Sequence, residues 1–232
     1  MNARSQVFEL TLEQRQIEEA VQCVFHTLLL HRSVGKFRYR AAGNYSIGVI
    51  GTEDVDCDFL DLTYVRVSCP ELASAVRLEV SLFRDALRAQ QSSDGRISLE
   101  FYQKRKRQWP LPEDLVPWEI WHLYVHTVQL NNEYEQQRIR ETVGECLAEL
   151  VLSVCSGVNR PQYVPKMPVQ SDLPLVFETR FSDVQPYLFR IGHNVGSGSP
   201  ASSPGYAGSG LPGPGQGLTT TVRKLLKDTL SL

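Results

Sequence analysis

Asp94-Gly95-Arg96-Ile97-Ser98-Leu99-Glu100-Phe101-Tyr102 opens on a turn dipeptide, then alternates apolar Ile97, Leu99 and Phe101 with Ser98, Glu100 and Tyr102. A period of two places the apolar set on one side of a pleated strand and leaves the other side wet. A return strand from Trp118 to about Leu130 pairs with it antiparallel, which makes Lys104 to Pro117 a projecting connection. Helical patterns flank this hairpin. Thr11-Leu12-Glu13-Gln14 matches a capping box ahead of Ile17, Ala20, Val21, Val24, Phe25, Leu28 and Leu29, after a short strand-like start at Val7, Phe8 and Leu10. Ser68-Cys69-Pro70-Glu71 is a second capping box with Pro at the first helical position, and Leu72, Val76, Val80, Phe83 and Leu87 follow on one face to about Gln90. Ile139, Val143, Cys146, Leu147, Leu150, Val151 and Val154 recur at helical spacing and close near Gly157. Between the first two helices, Phe37 to Val67 reads as strands. The class is α+β with three helices.

The C-terminal third changes character. Asn159 to Ile191 carries prolines at 161, 165, 168, 174 and 186, which favour extended and turn structure over helix, and Phe189 and Ile191 fit the end of an edge strand. Residues 192–217 hold 9 Gly, 4 Pro and 5 Ser with no Lys, Arg, Asp or Glu, a composition that cannot offset the entropy of ordering. The division expected is a domain over 1–191, a flexible Gly/Pro/Ser-rich insert over 192–217, and a C-terminal segment over 218–232. In that last segment Val222, Leu225, Leu226 and Leu230 form an amphipathic stripe completing or flanking the domain.

The 232 residues carry 24 basic and 26 acidic side chains, so charge offers no argument for a dedicated nucleic-acid or anionic-membrane binder. A chain this long buries roughly 70% of its extended surface, enough for a core without staples. Five cysteines, 23, 57, 69, 146 and 155, are odd in number, lack CxxC spacing and sit mostly in apolar runs, which points to a reducing compartment. The N-terminus has no secretory signal pattern and no stretch approaches a membrane span, so a protein neither secreted nor membrane-spanning is expected.

Chemistry-bearing patterns are few. Asp54, Asp56 and Asp58 alternate like the start of an EF-hand loop, but Phe59 and Val65 stand where the glycine and the bidentate glutamate are needed. His122 and His126 lie about 13 Å apart on one strand at ~3.3 Å per residue, too far to share one ion. His26 and His31 have no partner ligands at suitable spacing. No GxSxG elbow or phosphate loop is present and no Cys has an obvious His partner along the sequence, so no enzymatic activity and no cofactor or metal are expected. Lys104 to Arg107 is the one basic run, solvated at a strand end or, as the alternative function, contacting RNA or a phosphoinositide. Beside it, Trp109-Pro110-Leu111-Pro112 places an indole and a leucine in a loop bracketed by charge, as an exposed interaction anchor or as side chains folded back into the core.

Several motifs resemble one family closely: Tyr45-Ser46-Ile47-Gly48, Asp54 to Phe59, Ser98 to Lys104, Pro117-Trp118-Glu119, Pro165 to Pro168, Asp183 to Leu188 and the ending Lys227 to Leu230. They are similar to the autophagy-related protein 101 family along almost the whole chain. The resemblance implies a single HORMA domain, in which three helices pack on an antiparallel β-sheet. It implies a non-enzymatic, cytoplasmic adaptor required for autophagosome formation and recruited to the phagophore assembly site. The implied partners are the HORMA domain of autophagy-related protein 13, the initiation kinase, its scaffold subunit, and downstream autophagy factors reached through an exposed finger. The finger corresponds to Trp109, Pro110 and Leu111, with Leu111 in place of the family's phenylalanine. The 192–217 segment is longer than is usual in the family.

Overall fold

The protein is described from a computed structural model covering residues 3–40, 44–107, 113–130, 132–158 and 164–196. Ten strands and three α-helices follow in the order β1 (Arg4–Glu13), α1 (Ile17–His31), β2 (Ser33–Gly35), β3 (Phe37–Tyr39), β4 (Tyr45–Ile47), β5 (Thr52–Asp56), β6 (Thr63–Val67), α2 (Pro70–Ala89), β7 (Asp94–Arg105), β8 (Asp114–Val128), α3 (Glu133–Val158), β9 (Val184–Pro186) and β10 (Phe189–Val195). Short 3₁₀ helices occupy Gln14–Gln16 and Gln170–Leu175. The class is α+β, as expected.

The central sheet has four strands in the order β1-β8-β7-β10. Leu99 of β7 faces Trp121 of β8 and Ile191 of β10 in antiparallel register, which is the hairpin read from the alternation. β1 departs from the expected antiparallel sheet: it runs parallel to β8, with Phe8 opposite Leu123 and Leu10 opposite Val125. Alternation encodes which face a residue takes, not strand direction, and a parallel pair needs a long crossover. Here the crossover is everything from α1 through β7. The two edge strands, β1 and β10, are the first and last strands of the described residues. β10 continues to Val195, four residues past the expected boundary at Ile191, because Asn194 and Val195 pair with Arg96 and Gly95.

All three helices lie on one side. α1 packs between α2 and α3 and under the β5–β6 hairpin, α2 covers β7 and β10, and α3 meets β1. The core joins the stripes expected of the helices to the inner faces of the strands: Phe25 and Leu28 of α1, Val80 and Phe83 of α2, Leu147 and Val154 of α3, with Ile97, Leu99, Phe101, Trp121 and Leu123. Gly95 lies in the strand rather than in a free turn, and a Cβ there would come within 2.8 Å of Phe83 and Leu87 side-chain atoms. The small residue lets α2 approach β7 this closely.

Both expected capping boxes are altered. Ahead of α1 the box is displaced two residues and caps the 3₁₀ turn Gln14–Gln16, with the Gln16 side-chain oxygen accepting from the Glu13 backbone N–H at 2.9 Å. Strand pairing of Thr11 and Leu12 with β8 occupies the chain that the earlier box would have used. At α2 the N-cap is Cys69, whose Sγ contacts the Glu71 carboxylate at 3.2 Å, and Pro70 takes the first turn. The described part of the proline-rich segment, 164–191, holds no α-helix; β9 pairs with β2 while Phe177 and Tyr187 form an isolated bridge. Their rings lie 4.4 Å apart and Phe37 adds its ring at 5.3 Å, closing the base of the core with aromatic contacts.

Candidate protein-interaction site

β7 and β8 continue past their neighbours. The last pair between β10 and β7 is Phe189 with Phe101, and the first between β1 and β8 is Arg4 with Glu119. Beyond that line Tyr102, whose N–H still donates to the Leu188 carbonyl at 3.0 Å, and then Gln103, Lys104 and Arg105 pair with Pro117, Val116, Leu115 and Asp114. Four pairs of a twisted two-stranded ribbon extend roughly 13 Å at ~3.3 Å per residue. The connection is therefore 106–113, shorter than the expected Lys104 to Pro117, because hydrogen-bonded stems occupy its ends.

The root of this ribbon is built on a register shift. Phe101 faces Glu119 and Tyr102 faces Pro117, so Trp118 is the extra residue of a β-bulge. A bulge breaks the alternation locally, and Trp118 and Glu119 both turn inward, with 6% and 0% of their surface exposed. Glu119 receives both arms of Arg32, which follows the C-terminus of α1, at 2.7 and 3.1 Å. The Arg32 guanidinium also lies 5.6 Å from the Trp118 ring, and its carbonyl accepts from the Tyr187 N–H at 2.9 Å. A fully buried carboxylate is tolerated because a bidentate cation meets it. Sequence reasoning passed over this pair, although an acid enclosed in Trp118-Glu119-Ile120-Trp121 is a signal that a buried cation must exist.

Ion pairs line the stems. Lys104 reaches Glu113 at 3.7 Å, Arg107 reaches Asp114 at 2.6 Å, and Lys106 reaches Asp172 of the second 3₁₀ helix at 2.8 Å. The hydrogen bond from Lys106 holds the Asp172 carboxyl below the usual carboxylate range. Three of the four cations in the basic run thus face carboxylates instead of presenting a free positive strip. Apolar surface accompanies the stems: Leu115 is 47% exposed, and Val169, three residues before Asp172, is 65% exposed. Trp109, Pro110 and Leu111 lie outside the described residues, as do 197–217 and 218–232.

The remaining candidates resolve to structural roles. Asp56 accepts from the Thr63 hydroxyl at 2.6 Å across the β5–β6 hairpin, and the Asp58 and Phe59 N–H groups donate to Glu19 of α1 at 2.8 Å. Among the described residues no group of three His, Cys, Asp or Glu is placed to hold a metal ion. His122 and His126 point from β8 to the helix-free face of the sheet; His126 contacts Asp94, and burial beside Arg96 lowers the His122 pKa. His26 is enclosed against Tyr64, and burial, with the charges of Arg66 and Arg77, brings its pKa down to about 4. His31 meets Cys155 at 3.3 Å. The five cysteines are unbridged, and burial pushes the Cys23 thiol up to about 12. No helix among the described residues is long and apolar enough to cross a membrane.

The site joins ion-paired ribbon stems to apolar surface at Leu115 and Val169. A family model for autophagy-related protein 101 matches residues 9–171. Autophagy-related protein 101 of Homo sapiens is 48% identical over 233 residues, covering 100% of both chains, and that of Bos taurus is 49% identical over the same span. The Schizosaccharomyces pombe protein of that name is 22% identical over 164 residues, 70% of this chain and 79% of its own. A full-length match at this identity, with the family pattern running from β1 into the second 3₁₀ helix, leaves one assignment: the chain belongs to the autophagy-related protein 101 family.

Proposed function

We propose that this chain, whose family gives it a role in autophagy, acts as a non-enzymatic adaptor required for autophagosome formation. In this reading it is a HORMA domain that heterodimerises with the HORMA domain of autophagy-related protein 13 inside the initiation kinase complex. It stabilises that complex and recruits downstream autophagy factors through Trp109, Pro110 and Leu111, acting in the cytoplasm and at the phagophore assembly site. Three helices on one face of a four-stranded sheet support the domain type.

One observation supports the finger: past Phe101 and Glu119 the β7–β8 hairpin continues as a two-stranded ribbon to Arg105 and Asp114, and Trp109, Pro110 and Leu111 lie in the sequence that joins its ends. In this reading the connection is a surface loop, as connecting segments generally are. Pro110 and Pro112 fix φ on both sides of Leu111, which reduces the entropy lost when a partner pocket closes over it. Replacing the family's phenylalanine by Leu111 forfeits aromatic stacking of about 0.5 to 1.5 kcal/mol, which makes Trp109 the dominant anchor. The ion-paired Lys104, Lys106 and Arg107 weigh against the RNA or phosphoinositide alternative, since phosphate binding would first have to break those pairs.

The test is a double readout on Trp109→Ala with Leu111→Ala. Unchanged melting and unchanged pairing with autophagy-related protein 13, together with lost autophagosome formation, is the expected result. A loss of about 3 to 5 kcal/mol of stability would instead place these side chains in the core and overturn the finger. Recovery of the kinase, its scaffold and autophagy-related protein 13 by affinity purification tests the wider assignment.

A further inference from the structure

The face of the central sheet turned away from α1, α2 and α3 carries a furrow between β7 and β10. Arg96, Ser98 and Glu100 of β7 line it with Arg190, Gly192 and Asn194 of β10, and its volume is about 370 Å³. The register sets these residues in three rows: Asn194 beside Arg96, Gly192 beside Ser98, and Arg190 beside Glu100. Ile97, Leu99 and Phe101, the alternate residues of β7, belong to the core, so the period of two commits Arg96, Ser98 and Glu100 to the outer face. Gly192 keeps the middle row low. A Cβ there would meet nothing nearer than the Ser98 hydroxyl oxygen at 3.9 Å, and that hydroxyl donates to the Gly192 carbonyl at 3.1 Å. The floor is short and polar, and longer side chains stand at both ends.

The charges in the furrow are unequally matched. Arg190 reaches Glu100 at 2.7 Å, with the carboxylate side chain 15% exposed and the guanidinium 58%. At the other end, the Arg96 guanidinium has no ion-pair partner among the described residues. Its field acts on His122, which faces Ser98 from β8. Burial first and Arg96 second lower the His122 pKa, against a partial opposing effect of Glu100, so that imidazole is uncharged at neutral pH. Two cations against one carboxylate leave the furrow net positive. A carboxylate has two oxygens and is satisfied by one guanidinium, as Glu100 is by Arg190. A phosphate monoester brings up to two negative charges and three acceptor oxygens, and so uses donors arriving from both ends of the furrow. Arg96 and Arg190 stand four residues apart in register, roughly 13 Å at ~3.3 Å per residue, and each carries a long side chain that can lean over the Ser98–Gly192 row.

We propose that this furrow is a phosphate-monoester site, in which Arg96 and Asn194 hold phosphoryl oxygens over the Ser98–Gly192 floor and Arg190 closes the other end. The phosphate is either inorganic or the phosphoryl group of a phosphorylated side chain on a partner protein. β10 is an edge strand, so the furrow lies at the rim of the sheet, where a side chain presented by another protein reaches it. The inference goes beyond the adaptor reading, and neither depends on the other.

Amide chemical shifts of the full chain test it, titrated at constant ionic strength with inorganic phosphate and with a glycine-flanked phosphoserine tripeptide. Saturable shifts are expected at the amides of 96–100 and 190–194. Arg96→Ala is expected to weaken binding at least about tenfold, the factor for one lost charge-assisted hydrogen bond. Gly192→Val removes no charge but fills the floor, and is expected to weaken binding as much without lowering the melting midpoint, since space is open above Gly192 and a β-branched side chain suits a strand. Tighter binding of the tripeptide than of inorganic phosphate assigns the site to a phosphorylated side chain, and equal or weaker binding assigns it to free phosphate; both outcomes support the site. Absence of a saturable shift with either probe overturns the proposal, as does binding that both variants leave intact. A tripeptide with glutamate in place of phosphoserine that binds equally well makes the furrow a general carboxylate contact and overturns it too.

Discussion

Replacing Glu119 by Gln keeps the side-chain volume and removes the charge. The Arg32 guanidinium, 3% exposed, is then left in the interior without its bidentate partner. Breaking one side of a buried pair costs about 3 to 5 kcal/mol, because the surviving charge is stranded in a poorly solvating environment. For a domain of this size each kcal/mol corresponds to about 2–4 °C, so Glu119→Gln is expected to lower the melting temperature by roughly 6 to 20 °C. The control is Arg32→Met with Glu119→Leu, which removes both charges and fills the space. That double variant is expected to recover most of the loss, since an apolar replacement of a buried pair is often neutral or stabilising. Urea unfolding with a shared m-value for all variants gives the comparison. A loss below about 1 kcal/mol for Glu119→Gln, or a double variant as unstable as the single one, refutes the account. The location sharpens the prediction. Glu119 flanks the bulge at which the ribbon leaves the sheet, and Arg32 ties that point to α1 and, through its carbonyl, to Tyr187. Recruitment through the connection is therefore expected to fail in Glu119→Gln near its lowered melting temperature and to persist well below it.

Gly35→Ala is expected to unfold the β2–β9 corner or the whole domain, because a Cβ there would lie 2.0 Å from the Gly48 carbonyl oxygen, and backbone cannot yield as a side chain can; circular dichroism melting checks it, and a wild-type midpoint counts against the close approach. Gly95→Ala, meeting flexible side chains at 2.8 Å, is expected to cost about 1–3 kcal/mol and remain folded. His26 is neutral in the fold, with a pKa near 4 against 6.5 when exposed. The unfolded chain therefore binds more protons between those values, and stability is full above about pH 6.5 and falls as pH drops toward 4, by up to about 3 kcal/mol from this group. His26→Phe is expected to flatten the slope without abolishing it, because the His31 and His122 pKa values are lowered in the same direction; an unchanged slope in the variant overturns the assignment.

The parts of this molecule legible in its sequence are those where one physical signal acts alone. The three helices announce themselves through a 3.6-residue stripe that the core uses as written, from Val21 and Leu28 to Val80 and Val154. β7 follows its alternation from Ile97 to Phe101. Where two requirements compete, the pattern misleads. Thr11 to Gln14 carries a capping signature, but Thr11 and Leu12 are already hydrogen-bonded partners of β8, so the cap forms at Glu13 and Gln16 instead. The parallel direction of β1 is invisible locally, since a strand's faces read the same from either end. Pro117 and Trp118 look like a strand beginning, yet the bulge lets the pairing pass through them to Asp114. The role of Glu119 is the least legible of all: its partner is 87 residues away in the chain.

That bulge sets the packing at the root of the β7–β8 ribbon. Without it, strict alternation would place Trp118 and Glu119 on opposite faces, and either the indole or the carboxylate would leave the interior. With it, Trp118 stacks edge-on against Tyr187 at 5.3 Å while Glu119 holds Arg32. A bulge also adds local twist to its strand. The stems of the connection are paired strand as far as Arg105 and Asp114. Under the adaptor reading, this carries a specific consequence for Leu111. An anchor on a loose loop would lose further affinity to ordering, whereas one on a fixed ribbon loses chiefly the stacking its ring would have provided. Restoring the ring with Leu111→Phe is accordingly expected to strengthen recruitment by about 2- to 12-fold, the factor equivalent to 0.5 to 1.5 kcal/mol. Binding of downstream factors measured with Trp109 intact reads this out, and an unchanged affinity in Leu111→Phe would show that the position does not meet the partner's pocket.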